Sequence, residues 1–310
     1  MSKLSNNILR YYQTHAHEMP IDKQYHLASR LYLWNQNSVA AQSLQDLQSE
    51  FTSNHDPETA LRKIITASLE SPVHGSKNAA ELRRPYFERY PKLKMYVSTL
   101  FRMHFMRLLH DIDSRPLFHT LFDRAEVSQL RHDLLQDPKA LAILSTHAIN
   151  FLYLYDRSFT KTNSLPLHVF LEVGRTQYDF TNRMHLQLFI YLYTHCILGE
   201  SLFYYRQPPA ATREVYLTML QELEQVITEH FEDINLDNKC EFLVCAKILG
   251  KSSPLEGRIF VEAEQSVSND GTFLVDRHNN NPQADNSTLE KSEHRNVLFM
   301  MANSDFTPLG

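Results

Sequence analysis

Residues 139–156, with the sequence KALAILSTHAINFLYLYD, indicate the fold class of this chain. Apolar side chains would occupy nearly every side of a helix built from this stretch, so we expect that helix to be buried on all faces. Asp137 and Pro138 precede it, and an aspartate cap followed by proline at the first position is a common way for a helix to begin. The stretch therefore predicts a buried α-helix inside a helical protein.

The same pattern, a histidine followed by about eight mostly apolar residues, recurs along the chain, with cysteine replacing histidine once. From the second anchor onward, successive anchors are 43 to 54 residues apart. This period, with buried helices alternating with amphipathic ones, is typical of helical-hairpin repeats. Because the buried helices are apolar on nearly all sides, we expect an all-α protein arranged as an α/α-toroid or closed solenoid. The anchors are His26, His104, His147, His195, Cys240 and His294.

The apolar helical segments become more closely spaced from residue 91 onward, and this change predicts the domain organisation. We expect residues 91–310 to form the helical-repeat domain and residues 1–90 to form an N-terminal helical region packed on the same core. Residues 71–90 contain Pro72, Gly75 and Pro85, and this composition predicts a long connection.

One segment predicts strands. Residues 258–264 and 272–275 flank Asn269-Asp270-Gly271, which is a hairpin turn signal. A small β-hairpin insertion is therefore expected near residues 258–276.

The composition argues against several functional classes. The net charge is −5 and the basic residues are dispersed, so no electropositive surface for nucleic acid is expected. With only 7 glycines and no glycine-rich phosphate loop, we expect no nucleotide cofactor. Residues 186–205 are long and apolar but contain His195 and Glu200, so a buried helix is expected here and no membrane span.

The three cysteines predict the compartment. They lack a C-x-x-C spacing and lie in apolar stretches, at Cys196, Cys240 and Cys245. Such an odd set is typical of buried thiols in a reducing, cytoplasmic protein.

The recurring histidines also suggest chemistry. A Thr-His dipeptide occurs twice, ending at His147 and His195, and Asn150 follows His147 on the same helix face. Imidazole is a ligand that Zn, Fe and Cu accept, so His147, His195 and His294 predict a transition-metal site. A metal-free alternative makes His147 or His195 a general base, with Glu200 as its partner acid. A third interpretation makes these histidines ordinary core residues.

Five strings resemble a bacterial helical domain family of unknown function. They are STHAINFLYLYD (145–156), HCILGESLFYY (195–205), DNKCEFLVCAKILG (237–250), DGTF (270–273) and EHRNVLFMMA (293–302). The resemblance covers about residues 137–305 and implies the helical architecture without naming an activity. The last string departs from the family's Tyr-His-Thr-Thr pattern. More distantly, the layout is similar to that of α/α-toroid enzymes such as lanthionine synthetase cyclases and terpenoid cyclases, whose metal motifs this sequence lacks.

Two functions from different classes fit these observations. The favoured one is an enzyme of specialised metabolism whose central, histidine-lined pocket acts on a small molecule or peptide, with or without a metal. The alternative is a non-catalytic helical-repeat scaffold that holds a peptide or protein partner. The sequence leaves the oligomeric state open.

Overall fold

The computed structural model describes residues 2–70, 77–160, 165–277 and 287–310. These residues form fifteen α-helices and two 3-10 turns, and their only β-pairing is an isolated bridge, which confirms the all-α class. The helices are α1 (Lys3–His15), α2 (Ile21–Asn35), α3 (Ser38–Phe51), α4 (Pro57–Glu70), α5 (Lys77–Arg89), α6 (Leu93–His110), α7 (Arg115–Leu121), α8 (Arg124–Leu135), α9 (Pro138–Phe159), α10 (Leu167–Thr176), α11 (Arg183–Glu200), α12 (Ala210–Glu229), α13 (Leu236–Ile248), α14 (Glu256–Gln265) and α15 (Leu289–Ala302).

The chain forms two compact units. The terminal unit contains residues 1–47 and 200–310, and the central unit contains residues 48–199. The boundary expected near residue 90 lies inside the central unit. Every anchor of the predicted repeat lies on a helix, namely α2, α6, α9, α11, α13 or α15. The closed arrangement of these helices stays a prediction.

Helix α9 is the core helix of the central unit. It begins as predicted, because the Asp137 side chain accepts a hydrogen bond from the Ala140 N–H at 3.0 Å and Pro138 is the first helical residue. Helices α5, α6, α8 and α10 all pack against it. The stretch that predicts the fold class is thus buried on nearly all of its faces.

Helix α5 replaces part of the connection expected at residues 71–90, of which residues 71–76 lie outside the described ranges. Pro85 lies inside this helix, where it removes one backbone hydrogen bond. However, Pro85 is exposed, whereas Phe87 is buried and meets the His147 ring edge-on at 5.1 Å between centroids. The packing of α5 on α9 therefore outweighs the local cost of the proline.

The long apolar stretch at residues 186–205 does not form one continuous helix. Helix α11 ends at Glu200, and Leu202, Phe203 and Tyr204 then have φ angles of 55°, 52° and 78°. Positive φ cannot continue a right-handed helix. Among the described residues, no helix has both the length and the apolar content needed to cross a bilayer.

Helix α15 is the core helix of the terminal unit, and α1, α2 and α13 pack against it. Thr288 caps its first turn by accepting a hydrogen bond from the Lys291 N–H. Nearby lies Trp34, which is fully buried. Its indole N–H donates to the Ser304 hydroxyl at 3.0 Å, and its ring lies 4.7 Å from that of Phe306.

The predicted β-hairpin near residues 258–276 is wrong, because its first strand is helix α14. Ile259 and Ala263, four residues apart, are buried, whereas Val261 between them is 54% exposed. In a strand all three would share a face, so this burial pattern is helical.

The turn within that segment does form. Residues 266–268 pair with residues 273–275 across it, because the Ser268 N–H donates to the Phe273 carbonyl and the Val275 N–H donates to the Ser266 carbonyl, both at 2.8 Å. Gly271 has a φ of +77°, which glycine adopts without strain. Asn296 of α15 accepts a hydrogen bond from the Leu274 N–H at 2.8 Å and donates one to the Leu274 carbonyl at 3.0 Å. Because Asn296 and Leu274 are both fully buried, this one amide satisfies both backbone polar groups of Leu274.

Replacing Asn296 with alanine should lower the free energy of unfolding by about 2 kcal/mol, since two buried backbone groups would lose their partners. Urea denaturation measures the loss. Asn303→Ala is the matched control, because Asn303 is half-exposed and its amide donates only to a carbonyl of its own helix. An equal loss in the two variants would contradict the role of Asn296.

Candidate functional site

Two predicted site residues lie in the central unit, and Asn150 connects their helices. His147 on α9 and His195 on α11 are both half-buried. Asn150 lies one turn after His147, and its side-chain oxygen is 2.7 Å from Nδ1 of His195. With the amide in this orientation the oxygen can only accept, so we assign the proton to Nδ1 and the lone pair to Nε2.

Glu200 lies at the end of α11 and belongs to the terminal unit. Its carboxylate is nearly buried, at 5% exposure of the residue. The Tyr216 hydroxyl donates to Oε2 at 2.9 Å, and the Arg206 guanidinium lies 3.8 Å from Oε1. The role of Glu200 as a partner acid stays a prediction. Its two carboxylate oxygens lie next to Tyr216 and Arg206.

His294 also belongs to the terminal unit, on α15. Its ring stacks on that of His26 at 5.9 Å between centroids, and its Nδ1 lies 3.9 Å from Asp237. Within the described ranges, no group of three or more His, Cys, Asp or Glu side chains is arranged to hold a metal ion. The metal site of His147, His195 and His294 stays a prediction.

A different cluster lies where α2 packs against α15. Nδ1 of His26 is 2.7 Å from Oε1 of Glu293. The Glu293 side chain is fully buried, whereas the His26 side chain retains 32% exposure. Lys23 Nζ lies 3.6 Å from the other Glu293 oxygen, and an Arg30 nitrogen lies 3.4 Å from Nδ1 of His26. Because residues three and four apart share a helix face, α2 surrounds one buried carboxylate with three basic side chains.

Two contacts compete for Nδ1 of His26. Nδ1 could accept from Arg30 at 3.4 Å or donate to Glu293 at 2.7 Å. The shorter contact has an ionised acceptor, and such charge-assisted hydrogen bonds are about twice as strong as neutral ones. We therefore assign the proton to Nδ1, which leaves Nε2 with a lone pair.

The charges of the cluster follow from burial and its neighbours. Burial alone would raise the pKa of Glu293, but His26, Arg30 and Lys23 outweigh burial and lower that pKa to about 2. Burial, together with Arg30, lowers the pKa of His26 to about 4, although Glu293 acts in the opposite direction. At neutral pH the imidazole is therefore neutral and the carboxylate is ionised.

Helix α13 adds a second acidic side chain next to this cluster. Asp237, in its first turn, lies 2.5 Å from Nε of Arg295. Burial would raise the pKa of Asp237, but Arg295 and His294 lower it below its usual value. Helices α2, α13 and α15 thus converge on a concentrated set of ionised groups, which is the usual setting of a functional site.

Sequence reasoning missed the His26–Glu293 pair. His26 was recognised only as an anchor of the repeat, and the two residues are 267 positions apart, so no local spacing connects them. One signal was present: the basic residues Lys23, His26 and Arg30 recur at helical spacing. A second signal was Glu293, a charged residue at the start of the string 293–302, whose second half is apolar.

Acidification should destabilise the protein through His26. Because its folded pKa lies below the usual 6.5, the unfolded chain binds more protons between pH 6.5 and about 4, and stability falls as pH falls through that window. After a discount for solvent screening, we expect a loss of about 1–2 kcal/mol between pH 7 and 5. Glu293 adds a further loss below its usual pKa of 4.5, down to about 2.

Denaturation at pH 7 and pH 5 isolates this contribution when wild type is compared with His26→Gln. The pH-dependent loss should be smaller in the variant. His17→Gln, on the exposed 3-10 turn Ala16–Glu18, should behave like wild type. An unchanged pH dependence in His26→Gln would mean that His26 titrates as in the unfolded chain.

Comparisons of the chain with protein-family models, with curated proteins and with solved structures found no match.

Proposed function

We propose that this chain is an enzyme in which His26 acts as a general base, oriented by Glu293, on a small-molecule or peptide substrate. The observation that supports this most is the 2.7 Å contact between Nδ1 of His26 and a fully buried carboxylate. The imidazole keeps 32% exposure, so a substrate can reach it. We also propose that the helices of this enzyme are arranged as helical-hairpin repeats in a closed solenoid.

The chemistry of this pair is proton transfer. Nε2 of His26 takes a proton from water or from a substrate hydroxyl as that oxygen attacks. The Glu293 carboxylate stabilises the imidazolium that forms, and Nε2 then returns the proton to the leaving group. A positioned base of this kind contributes about 10²- to 10⁴-fold in rate.

The contact of His195 with Asn150 supports the same role less well. The group that orients His195 is the neutral amide of Asn150, and an amide stabilises an imidazolium less than a carboxylate does. We therefore assign the metal-free general-base role to His26, and not to His147 or His195. An odd number of cysteines without C-x-x-C spacing supports a reducing, cytoplasmic setting.

Nitrogen NMR of the histidine rings tests the base directly. At pH 7 we expect His26 to carry its proton on Nδ1, with a bare Nε2, and to titrate with a midpoint of about 4. A proton on Nε2 of His26 at neutral pH would leave the site without a base.

Enzymatic turnover is tested without a known substrate. A small-molecule and peptide extract of cells is incubated with wild type, His26→Gln and His17→Gln, and its composition is followed by mass spectrometry. We expect at least one compound to be converted by wild type and His17→Gln, and about 10²-fold or more slowly by His26→Gln. Compounds bound in stoichiometric amounts but never converted would favour the scaffold function instead.

A further inference from the structure

The central unit contains a cavity of about 600 Å³, lined by the junction of α5 with α6, by α8 and by the junction of α8 with α9. Small-molecule sites in proteins typically have volumes of about 300–1,000 Å³. Tyr90, Tyr96 and Leu130 supply the aromatic and apolar part of the lining, and both tyrosines are buried, at 6% and 1% exposure. The cavity therefore has the size and the apolar surface that an organic ligand requires.

The charged part of the lining has more carboxylates than cations. Arg89 lies 2.6 Å from Asp137, and Lys92 lies 2.8 Å from Glu126, so each of the two cations already has its own carboxylate. The third carboxylate, that of Asp133, has no basic side chain within ion-pair distance among the described residues. The lining therefore carries a net charge of −1, which favours a cationic ligand.

The Asp133 carboxylate is oriented but not neutralised. Its Oδ1 accepts a hydrogen bond from the side-chain amide of Gln129, one turn earlier on α8, at 2.8 Å. Because a carboxylate has about four lone-pair sites, Oδ2 can accept from a ligand. Asp133 is half-buried and lies in the last turn of α8, which ends at Leu135, where the carbonyl end of the helix repels a negative charge. This charge therefore costs stability unless a cation compensates it.

We propose that this cavity is a binding site for a small organic amine, which it holds through Asp133. The ammonium group of the ligand donates to the Asp133 carboxylate and balances the charge of the lining, while Glu126 and Asp137 keep their own cations. The hydrocarbon part of the ligand lies against Tyr90 and Tyr96, whose ring faces also attract an ammonium group. This site lies in the central unit and is independent of the proton-transfer role of His26.

Calorimetric titration with hexylamine, hexan-1-ol and hexanoate, at constant ionic strength, tests the site, because the three probes share one hydrocarbon chain and differ in charge. Wild type should bind hexylamine at least tenfold more tightly than either of the others. Asp133→Asn should weaken hexylamine binding at least tenfold and leave hexan-1-ol binding unchanged. Glu81→Gln removes the same charge from an exposed position on α5 and should have no effect. No binding of hexylamine to wild type, equal binding of the three probes, or equal weakening in both variants would overturn the proposal.

Thermal denaturation separates binding from a structural role of Asp133. Without ligand, Asp133→Asn should melt at the same temperature as wild type or higher, because the asparagine oxygen still accepts from Gln129 and the charge at the end of α8 is removed. Hexylamine should raise the melting temperature of wild type and leave that of Asp133→Asn unchanged. A lower melting temperature for unliganded Asp133→Asn would show that the carboxylate stabilises the fold and is not held for a ligand.

Discussion

Replacing Gly199 with alanine should lower the free energy of unfolding by about 2 kcal/mol, although alanine is the better helix former. Gly199 lies in α11, and a Cβ added there would approach the Tyr153 ring and the Tyr153 Cβ to less than 3.0 Å. Tyr153 is buried on α9, and its Cβ cannot move away unless the backbone of α9 shifts. The gain in helix propensity is about 1 kcal/mol, whereas forcing extra atoms into a packed core costs 1–3 kcal/mol and sometimes more.

Gly257→Ala is the matched control for this substitution. Gly257 is also helical, in α14, but an added Cβ would meet nothing within 4 Å. It should therefore stabilise the protein by about 0.5–1 kcal/mol. Urea denaturation of the two variants gives opposite signs if α9 and α11 touch as described. A neutral or stabilising Gly199→Ala would show that the two helices can separate at little cost.

Replacing Glu293 with leucine should cost about 3 kcal/mol of stability at pH 7. The carboxylate is fully buried and lies against His26 and Lys23, and removing one partner of a buried polar pair leaves the other uncompensated. Glu293→Gln keeps a carbonyl oxygen that can accept from Nδ1 of His26, so its cost should be nearer 1 kcal/mol. It should also lower the pKa of His26 below about 4, because Glu293 is the group that raises it.

Denaturation measures the stability losses, and NMR titration of His26 measures the pKa. Glu290→Leu is the control, because Glu290 lies on the same helix but is exposed; its effect should stay within about 0.5 kcal/mol. The double variant His26→Phe/Glu293→Leu should recover part of the loss, since both polar partners are then gone. A higher pKa of His26 in Glu293→Gln would mean that the carboxylate does not control the imidazole.

Helix positions could be predicted because their signals are local. Asp137 caps α9 as expected, and Asp56 caps α4 in the same way, accepting from the Thr59 N–H at 3.3 Å. An apolar run with a capping residue at its start contains enough information to place a helix. Helix α5 was missed because its support, the contact of Phe87 with α9, comes from a residue far away in the sequence.

The hairpin shows where local reasoning fails. The turn at Gly271 was identified correctly, but the identity of its pairing partner is a tertiary property. Leu274 pairs with the side chain of Asn296, 22 residues further along the chain. No turn signal predicts that an amide on a helix will bond to the backbone of the residue after the turn.

The candidate sites divide in the same way. Helical spacing predicts that Asn150 lies on the same face as His147. The structure adds that the Asn150 side chain contacts His195 of another helix. For the contact between His26 and Glu293, no spacing along the sequence indicates either residue as the partner of the other. It depends on how α2 packs against α15, and a single sequence contains no record of that packing.

Trp34 makes the two units separately observable. It is the only tryptophan of the chain, and it lies buried in the terminal unit against Phe306. Its fluorescence emission therefore reports on the unfolding of that unit, whereas circular dichroism reports on the helices of both. For Gly199→Ala in the central unit, a loss of helical signal that precedes the shift in emission would reveal two separate transitions. Coincident changes would show that the chain unfolds as one cooperative whole.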